Sequence, residues 1–340
     1  MTNADRADEA TGAAGAEAGA EVEVLVVGAG AAGLGGALTL ARARRSVLVL
    51  DSGSPRNAPA RHMHGYPGFD GANPAELLAR ARAEATAYGV RFAEAAAIAA
   101  DRLPDGGFLV RCDDGSSVRA ARLLVATGLV DVLPELPGLA GRWGRDVLHC
   151  PYCHGWEVRD RPLAVLATGP TAVHQAQLWR QWSDRITLLR NGRPLTPEQY
   201  GELAARGIAV ADGAATGLRL TPDDRLAGVE LADGTVVACE ALVVAPGFAA
   251  RAAVLTALGL PLTEVVREGQ TVGTVVDADP NTGATALPGV WAAGNVTAPF
   301  EKVVGAAAQG VRAAAAINAD LIAVEIRRAT GAHRATPATP

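Results

Sequence analysis

Short apolar runs alternate along the chain with Gly-, Pro- or Asp-rich breaks, and the first unit is the sharpest. In VEVLVVGAGAAGLGGALTLARARRSVLVLD, Val22 to Asp51, an apolar run reads as a buried strand, the first glycines as a turn, the next stretch as a helix and SVLVLD as a second strand. Similar runs recur in RLLVATGLV (Arg122 to Val130), in LAVLATGPTAVHQAQ and ITLLRNGRPLTPEQ from Leu163 and Ile186, and in LVVAPGF (Leu242 to Phe248). LPGVWAAGNV (Leu287 to Val296) precedes a helix-like VVGAAAQGVRAAAAIN. Strands alternating with helical stretches predict an α/β fold. Val24 to Ala41 is uncharged for about the length of a membrane span. Its five glycines and the following Arg42, Arg44 and Arg45 favour the strand–turn–helix reading.

Length and charge narrow this picture. A chain of 340 residues suggests about two domains, and 49 % hydrophobic content is enough for real cores. A net charge of −5 gives no reason to expect nucleic acid or an anionic membrane as partner. Of the 31 basic residues only Lys302 is lysine. The acidic, Ala/Gly-rich segment 1–21 has neither a basic n-region nor an apolar h-region, so it is expected to be a disordered tail and the protein cytoplasmic. A second disordered tail is expected over 329–340.

Gly28, Gly30 and Gly33 form GxGxxG directly after the first strand, and Asp51 ends the second strand about twenty residues on. Gly28 permits the tight turn, Gly30 lets backbone approach a pyrophosphate, Gly33 lets helix and strand pack closely, and Asp51 accepts from a ribose hydroxyl. A helix N-terminus favours phosphate charge.

The second chemical signal is HCPYCHGWE, His149 to Glu157. CPYCH matches a c-type haem attachment pattern, but that normally needs an exported chain. Zinc needs four ligands, and Cys150, Cys153 and either His149 or His154 supply three. Cys112 and Cys239 sit in strand-like runs and read as small core residues. A redox disulfide is the reading that uses the surrounding nucleotide-binding sequence. Cys-x-x-Cys contexts bring one thiol toward neutrality, so it leaves readily as thiolate.

Taken together, the early GxGxxG, Ala126-Thr127-Gly128 at a strand end, the late Gly294-Asn295 pair and the Cys150–Cys153 position resemble the low-molecular-weight thioredoxin reductases, over about residues 22–328. The resemblance implies two Rossmann-like dinucleotide-binding domains, one inserted in the other. FAD would be held by 22–132 and 252–328, and the insert 133–251 would carry the cysteines. It further implies FAD contacts from Gly28, Gly30, Ala31, Gly33, Asp51, Arg56, Asn57, His64, Ala126, Thr127, Gly128, Gly294, Asn295 and Gln309. Asn295 stands where the family has Asp, and asparagine still accepts from a ribityl hydroxyl. The family implies a homodimer, a flavin-facing Cys153 and a substrate-exchanging Cys150. His154 replaces the family's Asp, and together with His149 it is a candidate base for a thiol proton. His62 lies with His64 where the family loop nears the flavin. His174 and His333 are expected to be ordinary surface residues. Tyr152 and Trp156 are read either as walls of a substrate pocket or as packing residues.

The second nucleotide motif departs from the family. Ala167 replaces its first glycine, Gly169 keeps the second, and Pro170 follows. Of the basic cluster that grips a 2′-phosphate, Arg190 and Arg193 remain, without the paired arginines. NADPH is therefore expected to bind weakly or not at all. With CxxCHG, this pattern resembles the FAD-dependent dithiol oxidases that close disulfides in small natural products such as gliotoxin, holomycin and romidepsin. Those enzymes imply a small dithiol substrate and O2 as acceptor. An NADPH-dependent thioredoxin-type reductase and a non-catalytic redox-sensing flavoprotein remain the alternatives.

Overall fold

The computed structural model describes residues 19–335, with side chains to 332. The expected N-terminal tail lies outside the described residues up to residue 18. Strand β1 (Ala20–Val27) begins inside its expected boundary, pairing with the strand that contains Val118.

Chain order runs β1, α1 (Ala31–Arg42), β2 (Val47–Asp51), α2 (Pro74–Ala87), β3 (Arg91–Glu94), β4 (Ala97–Arg102), β5 (Phe108–Cys112) and β6 (Ser117–Val125). These strands form one sheet in the order β3-β2-β1-β6-β5-β4. β1, β2, β3 and β6 are mutually parallel, and β4 and β5 form an antiparallel flap on β6. Val24, Val26, Leu124 and Val49 face one side of the sheet, against the Leu34, Ala37 and Leu40 face of α1. Leu25, Val27, Leu123 and Val125 face the other, with Phe108 and Val110. Burial on both faces explains why these strands read as continuous apolar runs rather than alternating ones.

β7 (Leu129–Val132) leaves this sheet for a second body: β8 (Val147–Leu148), α3 (Pro151–His154), β9 (Leu163–Leu166), α4 (Ala172–Trp179), β10 (Ile186–Leu189), α5 (Pro197–Ala205) and β11 (Ala209–Ala211). Then follow β12 (Ala215–Leu220), β13 (Leu226–Leu231), β14 (Val236–Ala238) and β15 (Ala241–Val243). A parallel sheet in the order β11-β10-β9-β15-β8 is its centre, and β12-β13-β14 is a separate antiparallel sheet. The chain returns through β16 (Gly247–Ala250), which pairs antiparallel with β7, so outgoing and incoming segments are hydrogen-bonded to each other. α6 (Ala253–Ala257), β17 (Leu262–Arg267) and β18 (Gln270–Val276) follow, and β19 (Val290–Ala292) rejoins the first sheet beside β6.

The last helix, α7 (Val303–Ala335), runs past Arg328, where a disordered tail was expected to begin. No proline occurs between Val303 and Pro337, and each added residue of an established helix gains a backbone hydrogen bond. The uncharged run Val24–Ala41 is split between β1 and α1. Among the described residues no helix is long and apolar enough to cross a membrane.

Register is what positions the site. Val27 pairs with Leu50 and with Val125, and Val125 pairs with Ala292. Gly28, Asp51, Ala126 and Ala293 therefore leave the same carboxyl edge, where open α/β sheets bind ligands. In the second sheet Val243 pairs with both Leu148 and Val165, and Leu189 with Leu166. His149, Ala167 and Val244 emerge together there.

A candidate redox site between two nucleotide loops

At the first edge, Gly28 has φ +102°, and a β-carbon there would sit 2.6 Å from the Ala126 carbonyl oxygen. A β-carbon on Gly33 would overlap the Gly28 carbonyl oxygen, so glycine permits this close helix–turn approach. The space a β-carbon of Gly30 would enter is open, at the N-terminus of α1. Asp51 Oδ1 accepts from the Ala29 N–H at 3.2 Å, while Arg82 stacks on Phe92 at 4.3 Å and lies 3.6 Å from Asp51 Oδ2. Thr127 donates its hydroxyl to the Arg251 carbonyl at 2.6 Å, tying β6 to the returning chain. Gln309 Oε1 accepts from the Gly294 N–H at 2.7 Å. Asn295 donates Nδ2 to the Ala298 and Glu301 carbonyls at 2.9 and 3.0 Å, which orients its amide.

Gly28, Gly30, Ala31, Asp51, Arg56, Asn57, His64, Ala126, Thr127, Gly128, Gly294 and Asn295 all line one cleft of about 1300 Å³. Gly33 and Gln309 lie outside its lining and act by shaping the loops. Arg56 has three donors engaged: Nε and Nη2 grip Asp131 at 2.9 and 2.7 Å, and Nη1 reaches the Pro299 carbonyl at 3.1 Å. Its first role is therefore to clamp β7 to the loop before α7. The open helix N-terminus over Gly30, the glycine turn and the Asp51 carboxylate fit the adenosine and pyrophosphate part of FAD.

The same cleft is lined by His149, Cys150, Tyr152, Cys153 and His154. Cys150 is the N-cap of α3, Pro151 occupies the first helical position, and Cys153 lies one turn on. That spacing places the two Cα atoms 5.2 Å apart, and the cysteines form a disulfide. Gly155 packs under Trp182: a β-carbon there would lie 2.5 Å from the Pro151 carbonyl oxygen and 2.9 Å from the indole ring. Trp182 in turn meets Tyr152 edge-on at 5.4 Å. Tyr152 is 59 % exposed and walls the cleft, whereas Trp156 lies outside the lining, beneath Arg159 at 4.1 Å.

The two histidines differ in their surroundings. His149 Nδ1 is 3.2 Å from the Val244 carbonyl. That carbonyl can only accept, so Nδ1 carries the proton, and in the neutral ring Nε2 is the free base. Burial pushes the His149 pKa below its ordinary value, partly opposed by the Val244 carbonyl, with Arg56 lowering it further and Asp131 raising it. Burial also lowers His154, opposed by the Glu157 carboxylate. Both rings are thus neutral near pH 7. His64 lies between Asp70 and Glu157, each at 3.4 Å, joining the loop after β2 to the segment after α3. His62 Nδ1 meets the Gly71 carbonyl at 3.0 Å. His174 is exposed but also lines the cleft, unlike the plain surface residue expected, because α4 begins at the same sheet edge. His333 lies beyond the described side chains.

The second nucleotide loop is tied to its own protein. Ala167 is buried against the second sheet. Thr168 donates its hydroxyl to Ala245 O at 3.0 Å, and its carbonyl accepts from Arg193 Nη2 at 2.8 Å. Arg190 is ion-paired with Asp212.

The remaining thiols are core residues. Cys112 and Cys239 are 3 % and 2 % exposed; burial raises both thiol pKa values, that of Cys239 to about 12. Among the described residues no group of three or more His, Cys, Asp or Glu side chains is arranged to hold a metal ion. Several cleft residues carry no local sequence signal: Phe248, Phe300, Lys302, Arg267 and Thr171 reach it from four different segments.

A family profile described as pyridine nucleotide-disulphide oxidoreductase matches residues 22–310. The chain is 31 % identical to thioredoxin reductase sirT of Leptosphaeria maculans, across 87 % of this chain and 93 % of that one. It is 37 % identical to thioredoxin reductase tcpT of Claviceps purpurea, across 64 % and 68 %. Among solved structures, that of HlmI superposes with a TM-score of 0.85 at 44 % identity, covering 92 % of this chain and 96 % of that one. An oxidoreductase from Agrobacterium tumefaciens gives 0.81 at 33 % identity, covering 89 % and 99 %.

Proposed function

The chain belongs to the pyridine nucleotide-disulphide oxidoreductase family, and on that premise we propose that it is an FAD-dependent dithiol oxidase that closes a disulfide in a small molecule, within the assembly of a disulfide-bearing natural product. One observation carries the reading: the first nucleotide loop and the Cys150–Cys153 disulfide line a single continuous cleft. The engaged second loop supports the direction of electron flow. Arg190 is paired with Asp212, so its charge is already matched, and Arg193 commits one donor to the Thr168 carbonyl, which leaves fewer of its donors for a 2′-phosphate. A lost charge-assisted hydrogen bond costs about 1.5–3 kcal/mol, roughly ten- to a hundredfold in affinity.

The residues act in order. A substrate thiolate attacks Cys150 Sγ; the substrate–Cys150 bond forms, the Cys150–Cys153 bond breaks, and the electron pair leaves on Cys153. The second substrate sulfur then attacks the first, closing the product disulfide and releasing Cys150 as thiolate. Two electrons and two protons have left the substrate. His149, with Nε2 unprotonated, and His154 line the same cleft as the cysteines and are the proposed bases for the thiol protons. At pH 7 a thiol of ordinary pKa is only a few per cent thiolate, so a positioned base gains up to about thirtyfold. When bound, FAD would supply a two-electron acceptor for the cysteine pair, with O2 as the proposed final oxidant and H2O2 as its product. Gly28, Gly30, Asp51 and Gly294 would hold it, with Gln309 fixing the Gly294 turn from behind.

The test is anaerobic mixing of the FAD-loaded protein with a small dithiol or with NADPH. Rapid bleaching by dithiol, and one H2O2 per disulfide once oxygen is admitted, is the expected result. Rapid bleaching by micromolar NADPH with no peroxide from dithiols would make it a reductase.

A further inference from the structure

We propose that Lys302 selects dithiols that carry a negatively charged group, a carboxylate being the simplest, and holds that group beside the cysteine pair. The inference rests on the dithiol-oxidase reading above and adds a substrate class to it.

Lys302 immediately precedes α7, and its carbonyl accepts from Ala306 N–H at 2.8 Å. Its ammonium stands 4.6 Å from the ring centroid of Tyr152, one of the two residues between the cysteines. Both residues are exposed and line the cleft with Cys150 and Cys153. The ammonium forms no ion pair with another described residue. The nearest carboxylate in sequence, Glu301, is occupied: Oε1 accepts from the Lys302 N–H at 3.0 Å, and Oε2 faces Gln309 Nε2 at 3.4 Å. Arg267, stacked on Phe300 at 5.0 Å, adds a second cation to this mouth; Glu268 lines it too, and Glu157 faces His64. A cation held on an aromatic face beside a reactive disulfide, without its own counter-ion, is complementary to an anion presented by the molecule that reaches that disulfide.

The position also argues against a purely electrostatic effect on the cysteines. An exposed ammonium is well screened by water and salt, so it does little to a thiolate until a ligand covers it. Its contribution therefore belongs to binding, as a specificity-determining contact.

Dihydrolipoate and dihydrolipoamide are dithiols of nearly equal shape, one anionic and one neutral. The FAD-loaded protein should oxidise dihydrolipoate with the higher kcat/KM. Lys302→Met should reduce the acid-to-amide ratio by about two- to fivefold, the range of an exposed ion pair, through KM rather than kcat. Lys302→Arg should retain the preference, and raised salt should erode it only where a cation is present. A calorimetric titration of the disulfide-closed protein with oxidised lipoate and lipoamide reads the same preference without turnover. If wild type oxidises neither dithiol, the oxidase reading fails, and the titration still decides the role of Lys302. The same acid-to-amide preference in wild type and Lys302→Met, in turnover or, failing turnover, in binding, would overturn the proposal.

Discussion

Arg193 donates through Nη2 to the carbonyl oxygen of Thr168 across 2.8 Å, so a residue at the expected phosphate-gripping position instead closes the loop it would have served. The contact joins the end of the β10 segment to the turn after β9. Ala167, buried in the second core, puts a β-carbon where the family has glycine, which disfavours the usual backbone path of that turn. Flavin bleaching by NADPH should therefore be at least tenfold slower than by a small dithiol at equal concentration, measured anaerobically by stopped flow. Equal rates would remove the argument.

The cysteines should divide their labour. Cys150→Ser should leave Cys153 as a thiolate beside the flavin and give a long-wavelength absorbance band, and Cys153→Ser should give none. Both variants should lose dithiol turnover. A band confined to the Cys153 variant would reverse the assignment.

Both candidate histidines, His149 and His154, are neutral near pH 7 because burial lowers their pKa below the ordinary 6.5. Dithiol kcat/KM should thus hold steady down to about pH 6.5 and fall only below it. His154→Ala should slow turnover most in the neutral range and least above the thiol pKa, where thiolate forms unaided. Stability follows the same sign: below 6.5 the unfolded chain binds protons that the buried rings refuse, so stability present above 6.5 is lost as pH falls toward the folded values. His149→Gln should flatten that acid limb in a Tm-against-pH series. An identical limb in the variant would show that His149 does not produce it.

Gly155 is fixed by the approach of Pro151 O and the Trp182 ring. Gly155→Ala should cost about 1–3 kcal/mol through overpacking and displace α3. A lowered Tm with reduced dithiol turnover is the expected outcome. Unchanged values would mean that the turn has more room than the geometry gives it.

Cys112 and Cys239 should stay inert. Native protein reduced with dithiol and treated with iodoacetamide should gain two labels, at Cys150 and Cys153, and four only after unfolding. Labelling of native Cys239 would contradict its burial and its thiol pKa of about 12.

The sequence by itself determined the features that live in consecutive residues. Gly28, Gly30 and Gly33 with Asp51, the one-turn spacing of Cys150 and Cys153, and the loss of glycine at Ala167 are legible because backbone sterics and helical pitch act over a few residues. The apolar runs revealed β1, β2, β6, β9, β10, β15 and β19, since burial on two faces leaves an uninterrupted signature, while the short edge strands β3, β8 and β11 carried no such run. The end of α7 was misjudged because polar composition resembles a tail, while helix propagation depends on the turn already formed. Only the tertiary structure decided the rest. Strand order places Gly28, Ala126 and Ala293 on one edge and brings Val244 to His149. It seats Lys302 over Tyr152 and Glu157 against His64, and it spends Arg56 on Asp131. These residues lie from 75 to 265 positions apart in the chain, and no local pattern encodes their meeting. They arise when two sheets and their crossing strands pack, so that side chains selected for unrelated segments meet around one disulfide.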